Sequence, residues 1–412
     1  MLRATPVHAD DLWLAPSPAP GRLEAHLIFP QGDRATPLAF HYLEHLTWLN
    51  AVGRGKPNAG RHSNAWTKRI ALGYWLSGDT GELADILRRL SGVFAPLDLP
   101  REFAEDERKI LLRENEQRLI DNLLAKAGLA MGAFLYAGNR DALSPLGTPA
   151  EIGSLSYDRA RTLHDASHRP EQARLVIIGD VTRDEVRQAM QKVGWPEAQG
   201  KRAALTQPPF ELAEPATTAL RYPDPHAAPR LIWRKVVTLP EPVPFDLLEA
   251  ETALLRDILD TNLPGGLAGP LRFDAEITRS FDIQVWPIDE DNIEISFAAS
   301  PDRGVTLAAW RAAFEDTLAL IARDGIPEAT YARVLKRFDA YWPDWADADE
   351  TSRWMADYTL RRVEALRRPL GRDELERLPD GLSRKALNTL LHQLAGRGRT
   401  AVAFIGSEDR FE

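Results

Sequence analysis

Apolar positions along this chain follow two periods that alternate in blocks. Residues 23–31 and 70–77 run apolar or alternate with period two, which predicts strands, whereas 36–50, 81–95 and 101–135 repeat their apolar positions every three to four residues and predict helices. The last of these is long, and a break near Gly128 is expected. A strand at 173–180 and a helix at 182–192 close the first half. Residues 197–228 hold no sustained period and carry Pro208, Pro209, Pro215, Pro223 and Pro225, the composition of a linker. Beyond it the pattern predicts a strand at 230–238, a helix at 243–262 and strands at 280–287 and 292–299. Helices follow at 303–323, 327–340, 350–366 and 383–395, and a strand at 399–406 ends the chain.

The two halves close alike. Thr400-Ala-Val-Ala-Phe-Ile-Gly406 echoes Ala173-Arg-Leu-Val-Ile-Ile-Gly179, which suggests a duplicated unit. The expected fold class is α+β: two homologous units, each an antiparallel-rich sheet flanked by helices. The expected domains are 1–200, a linker at 201–228, and 229–412.

Composition narrows the chemistry. With 412 residues, 44% apolar and 27% charged, the chain can bury a substantial core. There is no cysteine, so neither disulfides nor thiolate chemistry are available and catalysis would use nitrogen and oxygen groups. A net charge of -9 argues against nucleic acid as a partner and mildly favours cationic peptides. No apolar run reaches the length of a membrane span, so no membrane partner is expected. The acidic pair Asp10-Asp11 stands where a secretory peptide would have its apolar stretch, which points to the cytoplasm, or to the periplasm if a leader has been removed.

His41-Tyr-Leu-Glu44-His45 is the segment richest in chemistry. Positions i and i+4 of a helix share a face, so His41 and His45 can hold one tetrahedral zinc ion while Glu44 acts as general base toward its water. The order H-x-x-E-H is the inverted form of the zinc-peptidase motif. Such a site needs a third protein ligand. Glu107 and Glu114 lie two helical turns apart on one predicted helix, hence on one face. Glu114 is the candidate ligand, with Glu107 behind it orienting a histidine. An ordinary charged helix face is the alternative for this pair, since Glu102, Glu105, Asp106 and Glu116 lie nearby.

With these segments in order, the chain resembles the pitrilysin/insulinase (M16) metallopeptidases, and within them the short bacterial members of mitochondrial-processing type. His41 to His45 is similar to the family's zinc helix, and Glu107 with Glu114 to its E-x6-E pair. Asn64-Ala65-Trp66-Thr67 is similar to its N-A-x-T segment, which leads into an edge strand that pairs with substrate backbone. The resemblance implies a zinc-dependent endopeptidase with one zinc per chain. It assigns His41, His45 and Glu114 to the metal, Glu44 and Glu107 to the catalytic set, and Asn64 and Ala65 to substrate binding. It also implies that two such units make half of a clamshell.

One segment departs from the family pattern. In the family's second domain, G-G-x5-L-x4-R-x6-Y supplies an Arg and a Tyr that hold substrate and polarise the scissile carbonyl. Here Gly265-Gly266 and Leu271 align, but the two functional positions read Glu276 and Ile283, with Arg272 and Arg279 each displaced. The resemblance therefore implies a zinc-bearing subunit completed by a second M16-type subunit carrying the pair, a homodimer being the alternative. The rival class is a non-catalytic assembly subunit of the same fold.

Other features are weaker. His62, His164 and His168 read as solvated surface groups. Pro264 to Gly269 lacks the Lys-Ser/Thr ending of a phosphate loop and reads as a tight turn. Trp342, Trp345 and Trp354 read as core or interface packing, or as an aromatic wall for peptide.

Overall fold

The computed structural model describes residues 11–32, 34–53, 62–119, 122–199, 210–302, 304–338 and 343–412. Asp10, the linker residues up to Pro209, and Trp342 lie outside them, as does the Arg279 side chain. The first half of the chain runs β1 (Leu12–Ala15), β2 (Arg22–Pro30), α1 (Pro37–Val52), β3 (Ser63–Thr67), β4 (Ala71–Asp79), α2 (Leu83–Ser91) and α3 (Arg101–Leu119). It continues through α4 (Leu123–Leu135), α5 (Pro149–Gly153), α6 (Tyr157–Ser167), β5 (Arg174–Gly179) and α7 (Arg183–Val193). The second half opens with β6 (Thr217–Pro223), β7 (Arg230–Thr238), α8 (Phe245–Leu259), β8 (Thr278–Pro287) and β9 (Asn292–Pro301). Helices α9 (Leu307–Asp324), α10 (Glu328–Phe338), α11 (Ala348–Glu364), α12 (Arg372–Arg377) and α13 (Arg384–Ala395) follow, and β10 (Arg399–Gly406) ends the order of strands.

Two five-stranded sheets share one topology, β1-β5-β2-β4-β3 and β6-β10-β7-β9-β8. In each, the first pair is parallel and the remaining pairs are antiparallel. The α+β class and the duplication therefore stand. Strand β6 lies within the stretch expected to be linker. Its residues are each half-buried or exposed in strict alternation, so its apolar signal was too faint to read as a strand.

The chain divides into two compact units that are not contiguous in sequence, unlike the expected domains. Unit 1 comprises residues 1–118, 143–208 and 343–369, and unit 2 comprises 119–142, 209–342 and 370–412. Helix α4 thus belongs to unit 2, where Ala127, Met131 and Leu135 pack with Val236, Ala401, Ala403 and Ile405. Helix α11 belongs to unit 1, where Ala356 and Val363 pack with Ile28, Val176 and Ile178. The break before α4 also falls elsewhere than expected. Asn122 caps α4, its side chain accepting from Ala125 N at 3.0 Å. Gly128 stays helical, with open space around its Cα that tolerates it at the usual cost of about 1 kcal/mol.

In unit 1, α1 is held from both ends. Thr36 caps it, accepting from Ala39 N, Pro37 opens it, and Gly53 ends it at φ 77°. Phe40, Leu43 and Leu46 are fully buried in the core with Leu27, Phe29, Leu72 and Tyr74. The Tyr42 hydroxyl donates to the Ala104 carbonyl at 3.0 Å and docks α1 on α3. With His41, Tyr42 and Glu44 also buried, α1 is a helix enclosed on nearly every side, and its polar side chains must find partners inside.

Candidate metal centre

Those partners come from α3. His45 Nε2 lies 3.7 Å from Glu114 Oε1, and His41 Nε2 lies 3.7 Å from Glu114 Oε2. Ligand atoms of the three side chains all fall within 4.8 Å of one another. The two-turn step between Glu107 and Glu114 brings the other carboxylate to the same α1 face, where Glu107 Oε2 lies 3.0 Å from His45 Nδ1. On His41 the corresponding Nδ1 lies 3.1 Å from the Pro145 carbonyl.

These contacts fix the state of both rings. A carbonyl can only accept, so His41 Nδ1 carries the proton and its Nε2 presents a lone pair. The carboxylate of Glu107 likewise holds a proton on His45 Nδ1, so the proton that leaves when the ring ligates a cation is the one on Nε2. Both Nε2 atoms then face the Glu114 carboxylate at a distance too long for a hydrogen bond. The gap suits a small cation: zinc bonds of about 2.0–2.1 Å in a tetrahedron separate neighbouring ligand atoms by about 3.3–3.4 Å. Among the described residues the buried Glu114 Oε2 accepts no hydrogen bond, with the Arg118 guanidinium at 3.4 Å and His41 Nε2 at 3.7 Å. A buried, unbonded carboxylate oxygen beside two imidazole lone pairs fits a zinc ligand set.

Protonation follows the same geometry. Burial, reinforced by neighbouring His45, lowers the pKa of His41 to about 4, so the ring is neutral and ready to ligate. Burial pushes His45 the same way, but its hydrogen bond to Glu107 and the charges of Glu44 and Glu114 outweigh that and raise it. Glu44 is raised to about 7 by burial, against the opposing pull of His45 and of a hydrogen bond from Thr67. Its Oε2 sits 3.9 Å from His41 Nε2, and the Thr67 hydroxyl donates to it at 3.3 Å.

The predicted substrate residues lie on the neighbouring strand. Among the described residues β3 is an edge strand paired with β4 alone, and Ala65 and Thr67 share the α1 side while Asn64 and Trp66 face away. The Asn64 side chain accepts from Ala65 N at 2.9 Å. His62 precedes the strand, its carbonyl accepting from Ser77 N.

One expectation needs correction. His164 and His168 are buried, not surface groups. His168 Nε2 lies 2.9 Å from the Tyr74 hydroxyl and its Nδ1 3.0 Å from Ser167 Oγ, while its ring stacks on Phe29 and His164. The tertiary partners remove these rings from water although their sequence neighbours Asp165 and Arg169 are polar. Trp354 stacks on Tyr358 at 4.7 Å and meets Trp345 edge-on, so this cluster packs along α11. In unit 2, Ile283 is a core residue and Glu276 an exposed one at φ 50°, while Arg272 lies over the Phe273 ring.

The structure also supplies residues that the motif did not indicate. Pro145 acts through its backbone, which leaves no trace in residue type. Asn115, next to Glu114, donates to the carbonyls of Leu146 and Gly147 at 3.2 and 2.8 Å.

The fold and this site together define the class: the chain has the fold of an M16-like peptidase. Neither a family model nor a curated protein matches it by sequence. Its backbone matches the periplasmic protease PqqL from Escherichia coli with a TM-score of 0.80 at 14% identity, over 98% of this chain and 47% of that one. It matches an M16-like peptidase from Alicyclobacillus acidocaldarius with a TM-score of 0.76 at 17% identity, over 98% of each chain. It also matches a peptidase M16 inactive domain from Pseudomonas fluorescens, with a TM-score of 0.72 at 13% identity over 97% and 96% of the two chains. At these identities the likeness is one of fold. Among the described residues, no helix is long and apolar enough to cross a membrane.

Proposed function

We propose that this chain is a zinc-dependent endopeptidase acting on peptides or unfolded segments, and that it is the zinc-bearing subunit of a pair. The observation that carries this reading is the convergence of two fixed imidazole lone pairs on Glu114, with Glu44 beside them. His41, His45 and Glu114 would hold the metal, and Glu107 would keep His45 oriented. Zinc, when bound, supplies a Lewis acid that makes water nucleophilic near neutral pH.

Glu44 would take the proton from the attacking water and return it to the leaving amine. A base raised toward 7 suits both transfers, and the positive charge of a bound ion would draw it back down. Thr67 holds one Glu44 oxygen in place. The free edge of β3 would accept substrate as an added strand at Asn64 and Ala65, through backbone hydrogen bonds that make little demand on sequence. Only an extended chain can pair in this way, so stably folded proteins are excluded as substrates.

The second subunit is called for by unit 2. Glu276 and Ile283 replace the Arg and Tyr of the family pattern, and Ile283 is spent on the core. Loss of such carbonyl-polarising donors costs roughly a hundredfold to a thousandfold in turnover. The same absence, together with the likeness to an inactive M16 domain, favours the second reading of a non-catalytic assembly subunit. The intact ligand set and base favour catalysis, because a scaffold needs neither. We place the protein in the cytoplasm; the likeness to a periplasmic protease supports the alternative of a leader removed from a longer precursor.

The test is cleavage of an unstructured peptide by the zinc-loaded chain, with Glu44→Gln as control. Glu44→Gln should retain zinc and lose about 10²–10⁴-fold in cleavage. Full activity in Glu44→Gln would remove Glu44 as the base. Bound zinc without cleavage by the wild-type chain, restored by a subunit carrying the Arg/Tyr pair, would establish the pair.

A further inference from the structure

The His45 ring is oriented by a side chain, but His41 is oriented by a loop, and a loop carbonyl holds its place only if the loop is itself held. Three contacts hold this one. Asn115, buried on α3, donates both of its hydrogen bonds into the loop, at the Leu146 and Gly147 carbonyls. Ser144 Oγ accepts from Leu146 N at 3.0 Å and tightens the same turn. Gly147 adopts φ +57°, and a Cβ there would meet Leu38 Cδ2 at 2.4 Å, so the loop presses directly on the first turn of α1. Between these anchors the Pro145 carbonyl meets His41 Nδ1.

We propose that Asn115 is a positioning residue for the metal centre. By clamping residues 144–147 it fixes the Pro145 carbonyl, which in turn locks His41 in the tautomer that presents Nε2 toward Glu114. The inference rests on reading His41 as a zinc ligand, but its first link, the state of the ring, holds without metal. Asn115 follows Glu114 directly, so one turn of α3 supplies both a candidate ligand and the support for the ligand opposite. Partners of this kind commonly set metal affinity within a factor of about 10–100.

The experiment uses the full chain with 15N-labelled histidine. Two-bond 1H–15N correlation spectra of the metal-free protein report which ring nitrogen of His41 and of His45 carries the proton, and chelator competition gives zinc affinity. In the wild type both rings should be protonated at Nδ1. Asn115→Ala should convert His41 to a mixture of tautomers, leave His45 unchanged on Glu107, and weaken zinc by about tenfold or more. Gly147→Ala, which disturbs the loop from the Leu38 side, should do the same and decides the matter if Asn115→Ala fails to fold. An unchanged His41 tautomer in the folded variants would overturn the proposal. So would equal changes at His41 and His45, which would report a general loosening. A wild-type chain that binds no zinc would count against His41 as a ligand, while the tautomer would still test the clamp.

Discussion

Glu107 and His45 are joined by a hydrogen bond of 3.0 Å between a carboxylate oxygen and Nδ1, across 62 residues of sequence and between two helices. Both groups are largely withdrawn from water. The carboxylate therefore does two things at once: it selects the ring nitrogen that carries the proton, and its charge makes the other nitrogen a stronger donor of electrons.

Glu107→Gln should keep an acceptor for His45 but lose the charge, and Glu107→Ala should lose both. Zinc affinity should fall by about tenfold in the first and toward a hundredfold in the second, read by competition with a chelator. Equal affinity in wild type and both variants would show that Glu107 does not support the site.

Thr67→Val preserves shape and removes the hydroxyl that donates to Glu44. That hydrogen bond favours the ionised carboxylate and lowers its pKa. Without it Glu44 gains its proton at higher pH, so the acidic limb of the kcat/KM profile should move upward. A bond worth about 1 kcal/mol corresponds to roughly 0.7 pH unit. Thr67→Ser should restore the wild-type limb; a profile unmoved in Thr67→Val would leave the hydroxyl with no role in tuning the base.

His164 and His168 should make unit 1 sensitive to mild acid. Burial lowers the pKa of both rings, so below about 6.5 the unfolded chain binds protons that the folded one refuses. Stability from these groups is complete above that pH and is lost as pH falls from it. His168→Gln removes one titrating ring, and the slope of unfolding free energy between pH 6.5 and 5 should become shallower by up to about 1.4 kcal/mol per pH unit. Denaturant titrations at several pH values measure this, and parallel slopes in the two proteins would contradict it.

Unit 2 has its own buried charge. Glu294 is fully enclosed, paired with Arg234 at 2.5 Å and accepting from the hydroxyl of Tyr136, the residue that follows α4. Glu294→Ala strands the guanidinium and should cost about 3–5 kcal/mol, whereas removing both charges as Arg234→Met with Glu294→Met should cost much less. Equilibrium unfolding of the wild type, Glu294→Met, Arg234→Met and the double variant distinguishes a coupled pair from two independent residues, for which the losses would add.

The clustering of His41, His45 and Glu114 was legible because helical period does geometric work. The spacings from His41 to His45 and from Glu107 to Glu114 each fix a shared face, whatever the tertiary structure. What period cannot convey is which surface a face will cover. Nothing in the apolar pattern of α4 or α11 distinguishes the sheet of one half from that of the other, so their exchange was invisible. His168 read as polar for a similar reason: the Tyr74 hydroxyl that accounts for its burial lies 94 residues away. Asn115 looked like one more polar group on a charged helix, and the Pro145 carbonyl has no sequence signature at all. By contrast β7 and β10 appeared at their expected limits, because the β-branched and apolar residues of each strand are bounded by turn residues, Pro229 and Pro240 around β7 and Gly398 and Gly406 around β10.

The placement of α11 also sets an order of events during synthesis. Strand β5 completes the sheet of unit 1 at Gly179, yet the helix that covers Ile28, Val176 and Ile178 ends only at Glu364. At about 5–20 residues per second, some 10–40 s separate the two on the ribosome. Throughout that interval Ile28, Val176 and Ile178 lack the helix that packs on them in the finished fold, which leaves an apolar face open to capture by a chaperone and to aggregation.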